Sequence, residues 1–146
     1  MREGTTFLDV NVFMYASGKP HANKNPCLHI LKDVETEALS AAVNTEIFQE
    51  LLYRYGQIGE SEKGVRLCNE ALRYPLLTLP ITKVDIVLAI DLFNQYKHNG
   101  VKPRDAIHAA TLKNNGITEL ISADKDFDNF DFLTRIDPLD YNPPNG

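Results

Sequence analysis

The sequence predicts an α/β fold with a mostly parallel central sheet. Short apolar, β-prone runs at 5–8, 38–43, 76–81 and 120–121 alternate with longer segments of helical periodicity. Acids also stand just past the ends of two of those runs, Asp9 and Asp124. Open α/β sheets gather their chemistry at the carboxyl ends of their strands.

Each element has its own signal. Residues 5–8 (TTFL) suit a buried strand ending at Asp9, and 11–16 reads as a short helical turn. Gly, Pro and Asn make 18–25 a loop, and Pro26 fits the first turn of a helix running to about Val34. Cys27, Ile30, Leu31 and Val34 there form one apolar stripe. After the second strand, Asn44 suits an N-cap, and Ile47, Phe48, Leu51, Leu52, Tyr55 and Ile58 follow at helical spacing. Phe48, Leu52 and Tyr55 are expected in the core, with contact to a second copy or a partner helix as the alternative for some of them, and Gly56 and Gly59 weaken the helix near its end.

Residues 60–74 read as another helix, with Val65, Leu67, Cys68 and Leu72 apolar. Past the third strand, Thr82 caps a helix carrying Val84, Val87, Leu88, Ile90, Leu92 and Phe93, which Asn99-Gly100 closes. Pro103 opens a helix that stops at Asn115-Gly116. The fourth strand enters an acid-rich loop, 124–131, a last strand lies near 133–136, and 138–146 is expected to be irregular. The 146 residues contain neither repeats nor a linker, so one domain, 1–146, is expected.

Composition narrows the function. Hydrophobic residues at 43% and charged residues at 24% match an ordinary soluble globular chain. No apolar run approaches a membrane span, and the N-terminus lacks a signal peptide's features, so a cytoplasmic location is expected. Cys27 and Cys68 lie far apart without a CxxC pattern, which points to two free thiols. The net charge of −5 argues against a broadly basic nucleic-acid surface. It is compatible with a nucleic-acid substrate if acids gathered around a metal ion carry the negative excess.

Four acids fall where such a cluster would form: Asp9, Glu50 in the helix after strand two, Asp105 in the turn opened by Pro103, and Asp124. Taken singly, most have ordinary roles. Asp105 complements a helix dipole, Asp124 caps a turn, and Glu50 pairs with Arg54 at i,i+4. Asp9 is harder to dismiss, because an ionised acid ending an apolar strand is desolvated and needs a partner. Glu46 and Glu50 stand four apart on one helix and repel mildly, which a cation or Arg54 relieves.

Four segments in order, FLDVNVFMYA (7–16), NTEIFQELLYRYG (44–56), RDAIHAATL (104–112) and ISADKDF (121–127), resemble the PIN-domain nucleases. Among these the likeness is to VapC-type toxins of toxin–antitoxin systems. The resemblance implies a three-layer α/β/α sandwich and a metal-dependent ribonuclease whose catalytic acids are Asp9, Glu50, Asp105 and Asp124. Asp9, Asp105 and Asp124 would bind Mg²⁺ or Mn²⁺, and Glu50 would position the attacking water or act as a base. Glu46 is the second choice for that acid. Asn11 and Ser122 would orient the carboxylates, and Asp126 would be auxiliary. The implied partners are RNA, a cognate antitoxin and a second copy of the chain in a homodimer.

Chemistry agrees with that set, since oxygen-only ligands suit hard cations. Lys102, Arg104 and Lys125 flank it and are expected to be solvated surface charge, with contact to phosphates as the alternative. Residues 128–131 are expected to be solvated loop. His108, set among small apolar residues, is expected to serve packing, while His21 and His29, with Cys27, lack zinc-site spacing. Two rival readings remain: a haloacid-dehalogenase-like phosphohydrolase and a non-catalytic metal-binding partner protein. The first expects a second Asp two residues after Asp9, where this chain has Asn11.

Overall fold

Phe7 and Leu8 are sealed from solvent on both faces of the sheet, which is the situation of a central parallel strand. In the computed structural model, which describes residues 4–143, that strand is β1 (Thr6–Leu8). It lies between β2 (Ala41–Asn44) and β4 (Glu119–Ile121), with Phe7 opposite both Ala42 and Leu120. β3 (Leu77–Leu79) extends the sheet beyond β2, and β5 (Thr134–Ile136) extends it beyond β4. All pairings are parallel, and the order is β3-β2-β1-β4-β5.

Among the described residues, six α-helices flank the sheet: α1 (Val10–Ala16), α2 (Lys24–Glu35), α3 (Thr45–Gln57), α4 (Ser61–Ala71), α5 (Lys83–Tyr96) and α6 (Pro103–Asn114). They pack as neighbours in sequence, α1 on α2, α3 on α4 and α5 on α6. The α3–α4 pair meets closely at Gly64, where an added Cβ would stand 3.0 Å from Tyr55 Cβ and 3.3 Å from the Leu51 carbonyl oxygen. The chain leaves β1 toward β2 on one side and returns to β4 on the other. The carboxyl ends of β1 and β4 are therefore the switch point at which open α/β sheets form a ligand crevice.

The boundary signals operate as local chemistry requires. Thr82 and Asp85 form a reciprocal capping box at the start of α5. Gly100 takes φ 89° just before Pro103 opens α6, a conformation that favours glycine. α2 begins at Lys24, two residues ahead of Pro26, because Asn23 occupies the cap position. Cys27 and Cys68 are free and buried.

Several expectations are corrected. Asn44 occupies the cap position of α3 without any side-chain capping bond, because its amide is engaged elsewhere. Of the stripe on α3, Tyr55 is buried but Leu52 is exposed. Val65, Leu72, Val84, Val87 and Ile90 are exposed as well. Residues 128–131 are not simply solvated loop. Residues Lys125–Asn129 wind into a 3-10 turn, Phe127 and Phe130 are buried, and Asp128 pairs with Arg135 Nε at 2.9 Å. The tail starts with a further 3-10 turn, Pro138–Asp140, and Tyr141 donates to Asp33 on α2 at 2.7 Å.

Candidate active site

Asp9 sits where β1 gives way to α1, and its backbone N–H still bonds to Ile121 O of β4. Its carboxylate is buried but fully partnered. Oδ1 accepts from the Val10 backbone at 2.8 Å, and Oδ2 accepts from Ser122 Oγ at 2.6 Å and Asn11 Nδ2 at 3.2 Å. Burial pushes Asp9 above the usual carboxylate range, against the opposing pull of His108 and the Ser122 hydrogen bond. Ser122 also accepts from the Asp124 backbone N–H at 3.0 Å. One hydroxyl thus ties the β1 acid to the loop that carries Asp124.

Asp105 occupies the first turn of α6, where Oδ2 accepts from the Lys102 backbone N–H at 2.9 Å. It is buried, and burial raises it to about 6, with the charges of Asp124 and Asp9 acting in the same direction and the Lys102 N–H opposing. Asp124 accepts from the Asp126 backbone N–H at 2.9 Å, which folds the loop back on itself. Asp105, Asp124 and Asp126 then offer ligand oxygens that all lie within 4.8 Å of one another. Lys102 Nζ reaches Asp126 Oδ2 at 3.1 Å, so this lysine belongs to the rim of the cluster and is not free surface charge.

Glu50 and Glu46 differ in burial. Glu50 is 4% exposed, whereas Glu46, one turn earlier, is only partly covered; both border the same open cavity. Glu50 Oε1 meets His108 Nε2 at 2.5 Å, and Oε2 lies 3.3 Å from Arg104 Nε and 4.0 Å from Arg54. Asp9, Glu50 and His108 form a second group whose ligand atoms lie within 4.8 Å of one another. The four predicted acids are therefore shared between two adjacent groups, Asp9 with Glu50 and Asp105 with Asp124.

His108 is the residue that sequence reasoning missed. It is 1% exposed, and its Nδ1 lies 2.9 Å from Asn44 Nδ2. Burial pushes the imidazole down, but the Glu50 hydrogen bond and the charges of Asp9, Glu50 and Asp105 outweigh it and hold His108 above its usual value. A charged imidazole needs an acceptor at Nδ1. Asn44 Oδ1 has no partner among the described residues, and a half-turn of the amide presents it there. The available signal was the i,i+3 spacing of Asp105 and His108, which puts both side chains on one face of α6.

A family model, the PIN domain, matches residues 6–133. The chain belongs to the PIN-domain family. As a PIN domain it is 27% identical over 129 residues to Ribonuclease VapC13 of Mycobacterium tuberculosis, covering 88% of this chain and 97% of that protein. It is 28% identical over 118 residues to Ribonuclease VapC23 of the same species, covering 81% and 91%. The PIN fold also superposes on the crystal structure of M. tuberculosis VapC20, a sarcin–ricin loop cleaving toxin. That match has a TM-score of 0.72 at 12% identity and covers 85% of this chain and 93% of that one. VapBC2 of Rickettsia felis, solved on a promoter DNA fragment, matches with a TM-score of 0.68 at 16% identity, covering 90% and 97%.

Proposed function

We propose that this PIN domain is a metal-dependent endoribonuclease of the VapC type, acting as the toxin of a toxin–antitoxin pair. The observation that carries the reading is the convergence of Asp105, Asp124 and Asp126 within 4.8 Å of one another, beside the buried Asp9 and Glu50. Asp105 is buried and Asp124 and Asp126 are half-buried, so carboxylates this close are costly without a cation, and their all-oxygen donors suit Mg²⁺ or Mn²⁺.

Asp9, Asp105 and Asp124 are the residues that would hold the ion, with Asp126 auxiliary. When bound, the ion supplies a Lewis acid that activates water and offsets phosphate charge. Ser122 and Asn11 keep the Asp9 carboxylate in one orientation. Glu50, held through Oε1 by His108 and paired through Oε2 with Arg104, would position the attacking water or take its proton. Asn11 bonds to both Asp9 and Ser122, so the position where a haloacid-dehalogenase-like enzyme needs its second acid serves as a strut.

A toxin–antitoxin complex from Klebsiella pneumoniae shares the fold, with a TM-score of 0.61 at 18% identity, and this supports a protein antitoxin as partner. A second copy would dock on α5, whose outer face exposes Val84, Val87 and Ile90 at i, i+3 and i+6. No helix among the described residues is long and apolar enough to cross a membrane.

The deciding experiment incubates RNA with the protein in Mg²⁺ or Mn²⁺ and compares the parent with Asp9→Asn. Cleavage by the parent, lost in Asp9→Asn and in chelator, is expected. A parent that cleaves no RNA in either metal, or an Asp9→Asn chain that cleaves equally well, would overturn the proposal.

A further inference from the structure

Beside the acidic crevice, the start of α6 and the outer face of α3 enclose a cavity of about 640 Å³, within the ~300–1,000 Å³ typical of small-ligand sites. Its walls include Tyr53, Arg54 and Arg104, and it shares Glu50 with the acidic site. Both guanidiniums approach the same oxygen of Glu50, Oε2, at 4.0 and 3.3 Å. Among the described residues no other carboxylate lies within ion-pair distance of either arginine. One carboxylate oxygen can accept only about two of the N–H donors that two guanidiniums offer, and Arg104 approaches it through Nε, so most of their donors remain for another anion.

Tyr53 supplies a different chemistry in the same cavity. It is 55% exposed, and it pairs with no other aromatic ring among the described residues. Its hydroxyl accepts from Gln57 Nε2 at 2.8 Å, which tethers the tip of the ring one helical turn on. A tethered, exposed ring beside under-used arginines matches what unpaired nucleotides require, namely a stacking surface and a phosphate clamp. Glu46 and Glu50 balance the two arginines in charge, so the cavity is not a general anion trap.

We propose that this α3–α6 cavity is a subsite for one unpaired RNA nucleotide next to the scissile phosphate. Arg54 and Arg104 hold its phosphate and Tyr53 stacks its base. The inference rests on the ribonuclease reading and deepens it by assigning Tyr53, Arg54 and Arg104 to the positioning of the substrate.

The test measures binding, so it stands apart from turnover. Full-length protein carrying Asp9→Asn is titrated, in Mg²⁺, into a labelled RNA of on the order of eight nucleotides. The same RNA annealed to its complement is titrated alongside. Single-stranded RNA should bind about tenfold or more tighter than the duplex. Adding Tyr53→Ala should weaken single-strand binding roughly tenfold, while Tyr53→Phe, which keeps the ring, stays within about twofold. Arg104→Ala should weaken binding and reduce the salt dependence by about one counterion.

Equal affinity for the duplex, a Tyr53→Ala chain that binds like its parent, or no measurable single-strand binding each overturns the subsite. If the pattern holds but the parent never cleaves RNA, the ribonuclease reading falls and the subsite stands. If the parent cleaves RNA but binding is indifferent to Tyr53, the ribonuclease reading stands and the subsite falls.

Discussion

Ser122 Oγ donates to Asp9 Oδ2 at 2.6 Å, joining residues 113 positions apart at the carboxyl ends of neighbouring strands. Ser122 is wholly buried, and its oxygen also accepts from Asn11 and from the Asp124 backbone. Ser122→Ala removes one donor to a buried carboxylate and orphans an N–H. We expect a loss of roughly 1–3 kcal/mol in urea denaturation. RNA cleavage should fall more than that of an exposed control such as Ser61→Ala. A Ser122→Ala chain with unchanged stability and rate would show that the hydroxyl holds nothing in place.

His108 is the counter-charge of the Glu50 side of the site. His108→Ala leaves Glu50 Oε1 buried without its donor. Breaking a buried pair from one side costs about 3–5 kcal/mol. His108→Gln, which can still donate to Glu50, should recover much of it. Chemical denaturation of the two variants reads this directly, and an equal loss in both would mean that packing volume, not the hydrogen bond, is what matters.

Asp105 makes the metal-free protein sensitive to pH. Its value of about 6 in the folded chain exceeds the ordinary 3.8, so the folded state holds that proton more tightly. The corresponding stability is fully present below about pH 4 and is lost as pH rises through about 6, by roughly 3 kcal/mol. In chelator, the thermal midpoint should therefore decline across that window more in the parent than in Asp105→Asn. Mg²⁺ should raise the midpoint more at pH 7 than at pH 5. Identical pH profiles for the parent and Asp105→Asn would contradict this.

The α5 face gives a prediction about assembly. Val87→Glu or Ile90→Glu places a charge on an exposed apolar strip without touching the core. Light scattering should report a dimer for the parent and a monomer for either variant, with little change in the secondary-structure signal. A monomeric parent would remove the homodimer from the proposal.

The features legible in the sequence are local ones. Thr82, Pro103 and Gly100 mark boundaries through contacts within a few residues, and Asp9 announces itself as a charge at the end of an apolar run. The roles of Asn44 and His108 are not legible in this way, because what decides them lies 64 positions away in the chain. Helical spacing places both correctly on their elements but does not say which neighbour the face will meet. The same limit explains Leu52, Val87 and Ile90, since an apolar stripe looks alike whether it faces the core or the outside. Arg104 reads as surface charge in the sequence, and only the fold brings it within 3.3 Å of Glu50.

The strand order has a consequence for the timing of synthesis. β1 is made first, yet its partner β4 and the loop carrying Ser122 and Asp124 are translated near the end. A nascent chain can form β1 and its pairing with β2 early, because domains fold progressively as they emerge. The acid constellation cannot close until β4 and the loop after it have left the ribosome. Until then Asp9 stands without the hydroxyl that orients it, however early β1 and β2 have paired.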